Sequence, residues 1–230
     1  MEKVKISEFS EVSKDRYVMI TDDDNCKFKN VLVIKDIENM NINQLKKKIY
    51  ELKRVLRCKG NHEEIIQNRN VICVICASDL ENENLKSLLI SLKAIFIKDK
   101  FERYTYLYNE ACDFLDRKFE ENNYCDFKDD ICVAKRYCNS NRKKMGCCYH
   151  FDSRKIFGKL VLCEHLVNRR CDTKCISCKL VTCDYLNVKF KLKNIVYIDC
   201  FFNLIQKLIM KMSCFQTKEV ILKRLMFWSL

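Results

Sequence analysis

Residues 71–76 read Val-Ile-Cys-Val-Ile-Cys, a run of six apolar side chains of which four are β-branched. Such a short run, rich in strand-forming residues, predicts a buried β-strand. Cys73 and Cys76 form a Cys-x-x-Cys pair within it. Because successive side chains of a strand point to opposite faces of a sheet, two thiols three positions apart are poorly placed to share one ion. The pair is therefore interpreted as core packing.

Helical patterns surround this strand. Ile42, Leu45, Ile49 and Leu52 recur at helical spacing and leave lysines on the other face, which predicts a helix over residues 41–57. Further helices are predicted over 85–98 and 101–121, and short strands over 17–20 and 31–34. Between these strands, the acidic run Asp22-Asp23-Asp24 lacks the ligand spacing of a calcium loop, so a solvated turn is expected there.

The chain as a whole is predicted to be α+β and mostly helical. A small N-terminal α/β-like scaffold over 1–124 is followed by an irregular cysteine-rich metal-binding region over 125–186 and a C-terminal part over 187–230. In this last part a strand over 188–198 and helices over 200–212 and 217–227 are expected to pack back on the body. With 230 residues, 48% of them hydrophobic, the chain is long enough to bury a core.

Cysteine dominates the middle of the chain. Between Cys125 and Cys183 lie ten of the seventeen cysteines and two of the three histidines. The twelve candidate metal ligands are Cys125, Cys132, Cys138, Cys147, Cys148, His150, Cys163, His165, Cys171, Cys175, Cys178 and Cys183. They alternate with polar residues, so apolar packing does not explain them. Twelve soft ligands equal three tetrahedral sites, and the segment is predicted to bind metal.

The local spacings favour zinc. Cys175-x2-Cys178 has the spacing of a metal knuckle, and Cys171 and Cys183 flank it, so these four cysteines could form one site. Cys147-Cys148-Tyr-His150 and Cys163-Glu-His165 each offer a thiolate and an imidazole two positions apart, a mixed ligation that zinc accepts. The alternative is a redox or sensor protein with a [4Fe–4S] cluster on Cys171, Cys175, Cys178 and Cys183. The spacing leaves open which ligands share an ion.

The positive charge lies in the second half of the chain. The net charge is +12, and residues 125–230 carry 21 Lys and Arg against 9 Asp and Glu, whereas residues 1–124 are neutral. This asymmetry indicates nucleic acid or an acidic protein as a partner. Some of the excess would offset metal-bound thiolates, because ten thiolates around three divalent ions would carry about −4.

The sequence indicates no active site and no membrane segment. The three glycines, Gly60, Gly146 and Gly158, are isolated, so no phosphate loop is present, and a binding protein is favoured over an enzyme. The N-terminus lacks the apolar stretch of a secretory signal, so a cytoplasmic protein is expected. In that reducing compartment disulfides are disfavoured. The isolated cysteines expected to fill the core are Cys26, Cys58, Cys112, Cys200 and Cys214.

Overall fold

The computed structural model describes residues 6–57, 63–122, 195–213 and 216–229, together with the short pieces 127–128, 131–132, 149–151, 160–162, 166–167 and 170–171 and the single residue 176. Contacts between Cα atoms divide the chain into two compact units. The first comprises Met1–Leu107 with Ile195–Asn203, and the second comprises Tyr108–Asn194 with Leu204–Leu230. The fold is mixed α/β, with a five-stranded sheet and six helices in the described part.

The five-stranded sheet forms the centre of the first unit. Its strands are β1 (Ile6–Ser13), β2 (Arg16–Thr21), β3 (Leu32–Ile34), β4 (Glu64–Ile66) and β5 (Arg69–Cys76). The strand order is β1-β2-β5-β3, and β4 also pairs with β5. β5 runs parallel to β2 and β3, whereas β1 and β4 are antiparallel to their neighbours. The run Val71–Cys76 is thus the C-terminal part of the central strand, as predicted.

Helices cover one face of this sheet. The helices of the described residues are α1 (Ile42–Arg57), α2 (Glu83–Phe96), α3 (Lys100–Asn122), α4 (Val196–Phe201), α5 (Leu204–Met212) and α6 (Lys218–Phe227). Asn41 caps α1, because its side-chain oxygen accepts hydrogen bonds from the backbone N–H groups of Asn43 and Gln44, at 3.0 Å each. Asn82 caps α2 in the same way. The helices predicted over 41–57, 85–98 and 101–121 are confirmed, with ends shifted by one or two residues.

The largest hydrophobic cluster joins the sheet to α1, α2 and α4. Leu45 and Ile49 of α1, Leu88 of α2 and Val196 of α4 are buried in it, together with Ile75 of β5. Burial of these apolar side chains is the main favourable contribution to the stability of the first unit. Residues 195–203 therefore belong to the same core as the first hundred residues.

Two predictions for the C-terminal part are wrong. Residues 196–198, expected at the end of a strand, begin α4, and residues 188–194 lie outside the described part. The helix expected over 200–212 is divided, because Phe202 has an extended backbone (φ −111°, ψ 137°). Phe202 is buried and its ring stacks on Tyr104 at 4.8 Å, so packing overrides the continuous helical pattern. The helix predicted over 217–227 is confirmed as α6.

The second unit contains part of α3, three short strand pairs and the helices α5 and α6. The buried Tyr108 hydroxyl accepts a hydrogen bond from the backbone N–H of Ile176 at 3.2 Å. α5 and α6 pack together, and the side-chain amide of Gln206 donates to the carbonyl of Leu225 at 2.8 Å. None of the helices in the described part of the chain is long and apolar enough to cross a bilayer.

Candidate metal centre

Short antiparallel strand pairs are the described elements of the cysteine-rich segment. β6 (Phe127–Lys128) pairs with β7 (Ile131–Cys132), β8 (Tyr149–Phe151) with β9 (Leu160–Leu162), and β10 (Leu166–Val167) with β11 (Arg170–Cys171). Isolated antiparallel pairs as short as these are marginal in water without another source of stability. Metal ligation is one such source.

The candidate ligands fall into two groups with respect to these strands. The backbones of Cys132, His150 and Cys171 lie in β7, β8 and β11. The remaining candidates lie outside the described residues: Cys125, Cys138, Cys147, Cys148, Cys163, His165, Cys175, Cys178 and Cys183. The described residues contain no group of three or more metal-binding side chains.

The register of the β8–β9 pair relates two candidate ligands, Cys148 and Cys163, that are fifteen positions apart in sequence. In the β8–β9 pair, Tyr149 is the partner of Leu162. Cys148 is the residue before Tyr149, and Cys163 is the residue after Leu162, so both adjoin the same end of this pair.

The next strand pair adds two more ligands. Leu166 is the partner of Cys171 in the β10–β11 pair. His165 is the residue before Leu166, and the three residues 163–165 are the whole connection between β9 and β10. Cys148, Cys163, His165 and Cys171 thus adjoin two strand ends that are joined by a three-residue connection.

The described cysteines outside the cysteine-rich segment are buried. Cys26, Cys73, Cys76 and Cys200 are all buried, as is Cys112 of α3, so the prediction of core packing is confirmed for these five. Cys58 and Cys214 lie outside the described residues. Cys73 and Cys76 belong to different hydrophobic clusters, as expected for opposite faces of the sheet.

Burial makes the scaffold thiols poor ligands and poor nucleophiles. Desolvation raises the pKa of Cys73 to about 12. Desolvation and a hydrogen bond with Cys26 raise the pKa of Cys76 to about 12 as well, and the two sulfur atoms lie 3.5 Å apart. Since the thiolate is the reactive and metal-binding form, these protonated thiols are structural. The two thiols of the Cys-x-x-Cys pair are thus buried in separate hydrophobic clusters.

The carboxylates near the C-terminal ends of the parallel strands have structural roles. Asp23 follows β2, and its side chain accepts a hydrogen bond from the N–H of Asn25 at 2.8 Å, which confirms the predicted turn. Glu38 accepts hydrogen bonds from the N–H groups of Ser78 and Asp79, both at 2.6 Å. These bonds tie the short turn before α1 to the loop that leads from β5 to α2.

The described surface includes one open groove with charged walls. It has a volume of about 410 Å³ and lies between the turn before α1 and the first half of α1. Lys48 in its wall pairs with Glu51 at 3.0 Å, and Lys35 donates to the carbonyl of Asp24. Cysteine and histidine are absent from its described lining, and the charges are of both signs.

Family models, curated proteins and solved structures give no match to this chain. The clearest local signals are the register of the strand pairs around Cys163-Glu-His165 and the contrast between buried scaffold thiols and the cysteines of the polar segment.

Proposed function

We propose that residues 125–183 form a Cys/His-rich region held together by structural zinc ions, and that this region supports a basic surface for nucleic acid. The single observation that carries the zinc proposal is the strand register, which relates Cys148, Cys163, His165 and Cys171 to two adjoining strand ends. Three thiolates and one imidazole are a common tetrahedral zinc ligand set. These four residues are proposed to bind one ion.

The other candidates are proposed to complete further sites. Cys175, Cys178 and Cys183 follow Cys171 closely, and Cys175-x2-Cys178 keeps the knuckle spacing. Cys125, Cys132, Cys138, Cys147 and His150 are the remaining ligands available to them. If Cys171 belongs to the first ion, the knuckle must draw its fourth ligand from this set rather than from Cys171.

Elemental analysis with an absorption spectrum tests the proposal on anaerobically purified full-length protein. Zinc at one or more equivalents per chain and no visible absorption are expected. Iron with acid-labile sulfide and broad visible absorption would instead favour a [4Fe–4S] cluster and a redox or sensor role. Less than about 0.2 equivalents of any metal would reject metal binding altogether, because structural zinc is held tightly.

Alanine variants test the grouping separately. Cys148→Ala, Cys163→Ala, His165→Ala and Cys171→Ala should each lose the same equivalent of zinc. The double variant Cys148→Ala with Cys171→Ala should lose no more than either single variant, because both ligands serve one ion. Cys112→Ala, at a buried thiol of α3, is the matched control and should keep all the zinc. Additive losses in the double variant would contradict the shared site while leaving zinc binding intact.

The proposal that this region binds nucleic acid is supported by its charge alone. Residues 125–183 carry 13 Lys and Arg against 6 Asp and Glu, and about +3 of this excess of 7 remains after allowance for ten thiolates and three zinc ions. Binding to a mixed-sequence RNA or DNA should weaken steeply as salt rises, because each phosphate contact releases a counterion. Absence of binding at low salt would refute nucleic-acid binding. Binding to an acidic protein instead would identify that protein as the partner of the basic surface.

A further inference from the structure

Helix α5 has an apolar outer face. Leu204, Leu208 and Met212 follow each other at four-residue spacing on one side of the helix, and their exposed fractions are 71%, 48% and 80%. The opposite side is buried and includes the polar Gln206 as well as Met210. These exposed apolar residues are notable, because the apolar side of an amphipathic surface helix ordinarily faces the core.

Helix α6 also carries exposed apolar residues. The hydrogen bond from the Gln206 amide to the Leu225 carbonyl places the beginning of α5 beside the end of α6, so that the two helices form a hairpin. Phe227 and Trp228 at that end of α6 are 75% and 46% exposed, and their rings meet edge to face at 5.3 Å. Exposed apolar residues are therefore present on both helices of the hairpin.

Positive charges border these apolar residues. Residues 204–229 contain five basic side chains and one acidic side chain, Glu219. Lys223 and Arg224 are exposed and precede Phe227 by one helical turn. Long cationic side chains of this kind lay their methylene groups along apolar surface and keep the charge outside it. The hairpin therefore combines exposed apolar residues, an aromatic pair and basic residues.

We propose that the α5–α6 hairpin is a peripheral binding surface for an anionic lipid bilayer, a role that goes beyond the metal-dependent function proposed above. Leu204, Leu208 and Met212 would enter the boundary between headgroups and acyl chains. Lys223 and Arg224 would meet lipid phosphates and carboxylates, and Trp228 would lie at the level of the headgroups. The excess of positive charge selects an anionic bilayer over a neutral apolar partner.

Vesicle co-sedimentation tests the proposal with the full-length protein. Vesicles of equal parts phosphatidylcholine and phosphatidylserine should bind the protein, whereas vesicles of phosphatidylcholine alone should bind it weakly. Leu208→Glu should weaken partitioning by about tenfold or more, because an apolar anchor is replaced by a like charge. Ile65→Glu is the matched control, since Ile65 of β4 is also highly exposed, and it should bind as the parent does.

A second pair of substitutions isolates the electrostatic contribution. Lys223→Gln and Arg224→Gln should each weaken binding to the anionic vesicles by about fivefold and leave binding to phosphatidylcholine unchanged. Absence of binding to the anionic vesicles would overturn the proposal, and so would equal binding by Leu208→Glu. A dimer in solution that Leu208→Glu converts to a monomer, without vesicle binding, would also overturn it and identify a second copy as the partner of this face.

Discussion

One face of the five-stranded sheet packs against helices α1, α2 and α4, whereas the described cover of the other face is mainly the connection 22–31 between β2 and β3. The helix-covered face includes Ile75 and Cys73 of the central strand. The loop-covered face includes Val74 and Cys76 of the same strand, with Cys26 and Phe28 from the connection against them. Adjacent residues of one strand are therefore buried by two different kinds of structure.

Two equally buried thiols can differ in how readily local opening of the structure exposes them to solvent. Cys73 and Cys76 are both nearly inaccessible and both have a pKa raised to about 12. Helices are held by their own hydrogen bonds and by many apolar contacts, whereas an irregular connection opens at lower free energy. The thiol under the connection should therefore become accessible before the thiol under the helices.

The largest expected effect is on the helix-covered face. Leu88→Ala should lower the free energy of unfolding by about 2–5 kcal/mol, because Leu88 is fully buried between rigid elements that cannot close the cavity. Met19→Ala, at an equally buried site of the loop-covered face, should cost less, since the connection can move into the space. Urea unfolding of both variants measures the two values, and a larger loss for Met19→Ala would contradict the comparison.

A smaller loss of stability is expected when a side chain of the connection 22–31 is truncated. Phe28→Ala removes a half-buried ring and should cost about 1 kcal/mol of stability. It should raise the rate at which iodoacetamide labels Cys26 and Cys76 in the folded protein, more so at high pH, where more thiolate forms. Cys73 should stay unlabelled. Peptide mass spectrometry resolves the three sites.

Phe96→Ala is the matched control, because Phe96 is a half-buried ring packed on the helix-covered face. It should leave labelling of Cys26 and Cys76 unchanged. If Phe28→Ala exposed Cys73 as fast as Cys76, the sheet would open as a whole and the two faces would not differ in local stability.

Most elements of this sheet and its helices were predictable from sequence, because their apolar patterns coincide with their burial. The run 71–76 and the stripe of α1 both show this agreement. β1 (Ile6–Ser13) was missed, since its apolar residues are separated by Ser and Glu. β4 was missed too, because only a tight turn at Gln67 and Asn68, both with positive φ, pairs it with β5.

The candidate site was predictable in composition and not in grouping. Cysteines in a polar segment indicate metal binding from residue type alone. Which candidate ligands could share an ion depends on the register of the strand pairs. Pairs such as Tyr149 with Leu162 belong to strands too short to show a periodic pattern from which the register could be predicted. Likewise, the apolar residues of α5 predict a helix, but only the burial of Gln206 reveals which side faces outward.

The smallest expected effect concerns a carboxylate at the edge of the helix-covered face. Hydrogen bonds from the N–H of Asp79 and from Ser78 lower the pKa of Glu38 below its usual 4.5, against a desolvation effect in the opposite direction. A lowered folded-state pKa stabilises the fold in full above the usual value, and this stabilisation is lost as the pH falls through the folded value. Glu38→Gln should therefore cost less than about 1 kcal/mol at neutral pH, since the group is partly exposed, and its deficit should shrink below pH 4.5. Glu64 accepts a hydrogen bond from the backbone N–H of Asn30 at 3.4 Å. Glu64→Gln should therefore lower the free energy of unfolding by less than Glu38→Gln does. Urea unfolding across this pH range measures both, and a deficit for Glu38→Gln that grew on acidification would refute the assigned role.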